Sequence, residues 1–176
     1  MRSLMLLRHA KTERDSPTGR DRDRRLDERG RHDATQMGLW LASLPDLKPD
    51  LILVSTAVRT RQTYDLLPGA LRDCPAEHRD DLYAAETGDL LSAVQLADDS
   101  KPHVLVIAHN PGLHELALAL GADGNAAARR ELEHHLPTSG FVAISFADDA
   151  WTDIGFRRGR LDLFMSPKLL RERGEP

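Results

Sequence analysis

The sequence predicts a three-layer α/β/α sandwich around a mostly parallel sheet. Two observations carry this: three uninterrupted apolar runs, Leu4–Leu7, Leu51–Val54 and Val104–Ala108, and a stretch of helical periodicity after each of them. A continuous apolar run of strand length is the mark of a strand buried on both faces, and strands alternating with helices indicate a parallel sheet with helices on either side.

The first run, Ser3-Leu4-Met5-Leu6-Leu7, stops abruptly at Arg8-His9. A core strand thus delivers two cationic or potentially cationic side chains to one point. A polar segment follows from Thr12 to Arg25, holding the turn former Ser16-Pro17-Thr18-Gly19 and the mixed run Arg20-Asp21-Arg22-Asp23-Arg24-Arg25. A connection of this length inside a domain is usually functional or disordered. Its charges, opposite in sign and adjacent, are expected to form a solvated surface.

Asp27 is placed to cap a helix, with Glu28 in the first turn where the dipole favours it. Ala34, Met37, Leu41 and Leu44 then recur at helical spacing, and the helix should end near Ser43-Leu44-Pro45. The second strand runs to Ser55. A helix is expected from about Val58 to Leu67, where Pro68-Gly69 breaks it. Beyond it, Cys74 to Asp81 reads as loop, Leu82-Tyr83-Ala84 as a short strand, and Thr87 as the cap of a helix reaching Ala97. The third strand ends at His109-Asn110-Pro111-Gly112 and is followed by a helix from Leu113 to Leu120. Phe141–Phe146 and Thr152–Phe156 read as two further strands joined by a turn at Asp148-Asp149.

The bulk numbers fit one domain spanning 1–176. A chain of 176 residues, 40% hydrophobic and 30% charged, has an ordinary globular balance. A chain of this size should bury roughly 70% of its unfolded surface. Its 24 Lys and Arg against 28 Asp and Glu give a net charge of −4. That mild acidity argues against general nucleic-acid binding. No apolar run approaches the roughly 20 residues of a membrane helix, and the first is too short for the apolar part of a signal peptide. With the single cysteine, Cys74, unable to pair internally, the expectation is a cytoplasmic protein without a membrane partner.

In a parallel α/β sheet, ligands bind outside the carboxyl ends of the strands. That rule selects Arg8 and His9 from the first run, Ser55, Thr56 and the nearby Arg59 from the second, and His109 from the third. Two guanidiniums match phosphate oxygens with planar donor forks. A neutral imidazole between them can attack phosphorus, and the second histidine, if protonated, adds a further donor. The scheme is phosphoryl transfer by positioning and charge stabilisation; it calls for no metal or cofactor. His134-His135 and His32-Asp33 lack spaced companions for metal binding and read as solvated surface. There is no P-loop and no Gly-x-Ser-x-Gly elbow.

The segment Leu6-Leu7-Arg8-His9-Ala10-Lys11-Thr12 resembles the signature of the histidine phosphatase superfamily, whose fold is phosphoglycerate-mutase-like. Arg25-Leu26-Asp27-Glu28-Arg29-Gly30, Ser55-Thr56-Ala57-Val58-Arg59-Thr60-Arg61-Gln62-Thr63, Ala108-His109-Asn110-Pro111-Gly112 and Pro137-Thr138 are similar to the SixA-like phosphohistidine phosphatase branch. The resemblance implies that His9 becomes phosphorylated, that Arg8, Arg59 and His109 form the phosphate pocket, and that Thr138 borders it. It also implies a phosphorylated substrate, possibly a phosphohistidine-bearing protein. This chain departs from the family pattern at Arg25, where proline is common, and at Ala108, where glycine is common; neither removes a catalytic side chain.

Many superfamily members place a glutamate proton donor between the second arginine and the second histidine. Glu86 is the best-placed counterpart, with Asp89 behind it, although a glutamate at a helix start also serves the dipole. An alkoxide leaving group needs such an acid, whereas an imidazole already protonated on its other nitrogen leaves as a neutral ring. The expectation is therefore a phosphatase for protein phosphohistidine, with a small phosphoester hydrolase or a non-catalytic phosphate-sensing module as alternatives.

Overall fold

The computed structural model describes residues 1–174. Seven strands form one sheet: β1 (Arg2–Arg8), β2 (Leu51–Ser55), β3 (Ala76–Arg79), β4 (His103–Ala108), β5 (Gly121–Gly124), β6 (Phe141–Phe146) and β7 (Gly159–Met165). Their spatial order is β3-β2-β4-β1-β6-β7-β5. β6 runs antiparallel to both of its neighbours, β1 and β7, and the other pairings are parallel.

The three apolar runs are the adjacent centre of that sheet. Alternation divides their side chains between two cores. Leu4, Leu6, Leu51, Leu53, Val104 and Val106 face one, beneath α4 (Thr87–Gln95), α5 (Gly112–Leu120) and α6 (Ala126–His134). Met5, Leu7, Ile52, Val54, Leu105 and Ile107 face the other, against α1 (Glu28–Ala42), α3 (Gly69–Arg72) and α7 (Pro167–Glu172). Burial on both faces explains why these runs are continuous rather than alternating. α2 (Val58–Asp65) leaves the end of β2, with Arg59, Thr60 and Thr63 buried. Asp27 caps α1 as expected, its Oδ1 accepting from Gly30 N–H at 2.7 Å.

Register brings the strand ends together. Arg8 pairs with Ala108, and Val54 with Ile107, so β1, β2 and β4 finish side by side.

The sheet's edges differ from the sequence expectation. The stretch read as loop contains β3, a short edge strand in which Glu77 and His78 are exposed, so no apolar pattern announces it. Leu82-Tyr83-Ala84 is no strand; residues 80–82 form a 3-10 turn. Trp151–Asp153 is also a 3-10 turn, held by Trp151 Nε1–H donating to the Lys101 carbonyl at 2.8 Å. The last strand is instead β7, whose exposed Arg160 and Asp162 alternate with buried residues at its start. Glu86, not Thr87, occupies the cap position of α4. No helix among the described residues is long and apolar enough to cross a membrane.

Candidate active site

The backbone of His9 is fixed from two sides. Its N–H donates to the Ala108 carbonyl at the end of β4 (3.2 Å), and its carbonyl accepts from Ser139 N–H (3.1 Å), while Arg8 N–H donates to Gly140 (3.0 Å). Ser139 adopts a left-handed conformation, φ 57°, in the turn that makes these contacts. On the other side Ala10 N–H donates to Thr63 Oγ1 at 3.0 Å, and Thr63 Oγ1 donates to the Arg59 carbonyl at 2.8 Å. The nucleophile candidate and the start of α2 are thereby tied together.

The His9 ring is 7% exposed, and its Nδ1 lies 2.8 Å from the Ala10 carbonyl. A carbonyl only accepts, so Nδ1 carries the hydrogen and Nε2 keeps its lone pair. The neighbouring ring of His109 sits 5.3 Å away between centroids, tilted by 51°. His109 Nε2 contacts Ser55 Oγ at 2.7 Å. If the Ser55 hydroxyl donates to that nitrogen, the hydrogen of His109 is on Nδ1, a buried atom with no protein partner.

Burial is the main cause that pushes His9 down to about 3, against the raising effect of the Ala10 carbonyl and with His109, Arg59 and Arg8 adding to the depression. Burial also lowers His109 to about 3, assisted by Arg59 and Arg8 and opposed by Asp21. Both rings are therefore neutral at neutral pH. For His109 burial favours the neutral ring, which with its hydrogen on Nδ1 donates without being protonated.

The two arginines frame this pair. Arg8 donates through Nη1 to the Leu136 carbonyl at 3.2 Å, a carbonyl shared with Asn110 Nδ2 at 2.9 Å. Burial, and then the like charge of Arg59, pull the Arg8 guanidinium below its ordinary value. Two half-repelling cations beside neutral imidazoles make a place that a phosphoryl dianion would relieve.

Arg59 is 6% exposed. It donates to Asp21 twice, from Nη1 to the backbone carbonyl at 2.9 Å and from Nη2 to Oδ2 at 3.0 Å. Tyr83 Oη also donates to Asp21 Oδ2, at 2.8 Å, and presents its ring edge-on to His109 at 5.6 Å.

These groups line a cavity of about 750 Å³ that includes Arg8, His9, Arg59, Tyr83, His109, Asn110 and Thr138, with Lys11, Arg14 and Arg24 adding positive charge and Glu13, Asp21 and Asp27 as its acids. Five of the sequence-selected residues, Arg8, His9, Arg59, His109 and Thr138, thus share one cavity. Glu86 is not among them: it is exposed and lines an adjoining groove with Asn110, Gly112 and Glu115. Asp89 is exposed in the first turn of α4. Among the described residues no three His, Cys, Asp or Glu side chains are grouped as a metal ligand set.

Two site residues escaped the sequence. Tyr83 lay in a segment without periodicity, and Asp21 was hidden in a run of alternating charge. The only hint for Asp21 was the length of the connection that carries it.

A family model described as the histidine phosphatase superfamily, branch 1, matches residues 4–95. An uncharacterized protein of Mycobacterium tuberculosis is 35% identical over 152 residues, 84% of this chain and 91% of its own length. Two solved structures are also similar, each 30% identical. One, named as a candidate phosphohistidine phosphatase SixA of Nakamurella multipartita, superposes with a TM-score of 0.81 over 94% of this chain and 96% of its own. The other, with the same candidate name from Agrobacterium tumefaciens, gives 0.77 over 94% and 98%.

Proposed function

The chain belongs to the histidine phosphatase superfamily and is a phosphatase, and we propose that it removes the phosphoryl group from phosphohistidine in proteins through a phospho-His9 intermediate, without a metal. The observation that carries this is the His9 tautomer. Nδ1–H is held by the Ala10 carbonyl, so the Nε2 lone pair is the free end of the ring, in a cavity it shares with Arg8, Arg59 and His109.

In the first step His9 Nε2 forms a bond to phosphorus as the bond from phosphorus to the substrate nitrogen breaks, its electron pair staying on the leaving imidazole. Arg8 and Arg59 neutralise the equatorial oxygens, and His109 Nδ1–H donates to one of them. The substrate ring, protonated on its other nitrogen, departs neutral. Phospho-His9 is then in the same condition, protonated at Nδ1. Water adds to phosphorus, His9 departs neutral in its turn, and the proton of the water passes to a phosphate oxygen.

Two further facts support protein phosphohistidine as the substrate. The structures of similar sequence carry the SixA name, and the sequence-selected acid, Glu86, lines the adjoining groove rather than the cavity that holds His9. The test is a parallel comparison of kcat/KM on a phosphohistidine protein, a sugar phosphate and an aryl phosphate, in EDTA, with the His9→Ala variant as control. The phosphohistidine protein should react fastest, and His9→Ala should lose at least about 10³-fold in rate together with covalent labelling by the phosphodonor. Faster turnover of the sugar phosphate would overturn the substrate assignment, and labelling retained in His9→Ala would overturn the mechanism.

A further inference from the structure

The Arg59 guanidinium, a buried cation in the first turn of α2, is already engaged by an anion from the same chain. Asp21 offers it both a backbone carbonyl and a carboxylate oxygen, at 2.9 and 3.0 Å. We propose that the Asp21 carboxylate is a built-in occupant of the Arg59 anion site, which the incoming phosphoryl group displaces, so that Asp21 sets how tightly the enzyme holds phosphate. The proposal rests on the reading of Arg59 as a phosphate ligand.

Four observations support it. The carboxylate makes the contact a phosphate oxygen would make: its anionic Oδ2 accepts from Arg59 Nη2, and the neutral backbone carbonyl of Asp21 fills the other prong of the guanidinium fork. It is held as an anion, because the hydrogen bond from Tyr83 and the charge of Arg59 outweigh the raising effect of burial. It is built to leave, since the Asp21 side chain is 56% exposed while that of Arg59 is 7% exposed. It also has a second cation to leave with, Arg24, whose Nε donates to Oδ1 at 3.0 Å, so the displaced carboxylate stays paired.

The segment that carries Asp21 is anchored rather than loose. Thr12 bridges Leu26 at its base, and Arg22 near its tip bonds Thr56 and Asp80 and lies over the Tyr83 ring at 5.2 Å. Placement of Asp21 on Arg59 is therefore a property of the folded loop.

A residue that merely braced Arg59 and one that competes for it make opposite predictions. Loss of a brace weakens anion binding; loss of a competitor tightens it. Orthophosphate binding is measured by calorimetry on the full chain at about pH 8 and about 0.15 M salt. Asp21→Asn, which removes the charge and keeps the shape, should lower Kd about tenfold, and Asp21→Glu should stay close to wild type. Tyr83→Phe removes only the hydroxyl that pins the carboxylate and should lower Kd about threefold; it gives a second route if Asp21→Asn folds poorly. An unchanged or raised Kd in Asp21→Asn and Tyr83→Phe, with Arg59→Ala weakening phosphate, overturns the role of Asp21 alone. A wild-type Kd insensitive to Arg59→Ala overturns the phosphate role of Arg59 as well.

Discussion

Acid should unfold this protein through its site histidines, by an amount that can be worked out. An unfolded histidine titrates near 6.5, whereas burial holds both His9 and His109 at about 3. The folded pKa is the depressed one, so between those values the unfolded chain binds the extra protons. Stability is then complete above about pH 6.5 and is lost as the pH falls toward 3. From about pH 7 to about pH 5 each unfolded ring goes from about a quarter to almost fully protonated while each folded ring takes up almost nothing, which costs about 2 kcal/mol per histidine. The figure barely depends on the folded value as long as that stays below about 4. The assay is urea unfolding of wild type and of His109→Asn at both pH values, comparing the change with pH rather than the absolute stability. The variant should lose about 2 kcal/mol less than wild type over the interval. Identical losses would mean that the fold does not hold His109 neutral, and the argument for a neutral Nδ1–H donor would fail with it.

Two further predictions concern the acid and the scaffold. Glu86→Gln should change kcat/KM by less than about twofold on either a phosphohistidine protein or an alkyl phosphate, because removing a working general acid costs 10²-fold or more; a tenfold fall on the alkyl phosphate would restore Glu86 as proton donor. Gly30→Ala would place a Cβ 2.0 Å from the Lys11 carbonyl oxygen, which also accepts Asp27 N–H at 3.0 Å. Thermal melting should show a loss of about 1–3 kcal/mol, and an unchanged Tm would show that this approach of α1 to the residues after His9 is not tight.

The centre of the fold was legible because its physics is simple. β1, β2 and β4 bury both faces, so each is written as an unbroken apolar run, and the parallel register forces Arg8, Ser55 and Ala108 to the same end of the sheet. The chemistry then had to lie where the apolar residues stop. The edges carry weaker signals. β3 exposes Glu77 and His78, and in β7 the alternation of Arg160 and Asp162 with Leu161 gives way to burial halfway along. Buried Trp151 is the kind of large apolar residue strands favour, yet it opens a 3-10 turn, with its N–H and Nε1–H donating to Asp99 and Lys101. Asp33 beside exposed His32 is a similar case: it read as surface, yet it is buried on α1 and faces Arg171 of α7 at 3.5 Å. Loop residues were the least legible. Asp21 and Arg24 differ in role from Arg20 and Asp23, which pair with each other at 2.9 Å, although nothing in the run of charge distinguishes them.

The acids of the cavity bear on the leaving group. Asp27 has its Oδ1 committed to the cap of α1, and Glu13 is exposed on the connecting segment. Asp21 is the carboxyl that touches Arg59, and Tyr83 and Arg59 keep it ionised. A proton donor for an alkoxide has to stay protonated at working pH, which takes burial away from cations or a like charge at close range. Asp21 has the opposite surroundings. The same pair of contacts that makes its carboxylate a good occupant of the anion site makes it a poor acid, and both properties favour a substrate whose leaving nitrogen needs no proton from the enzyme.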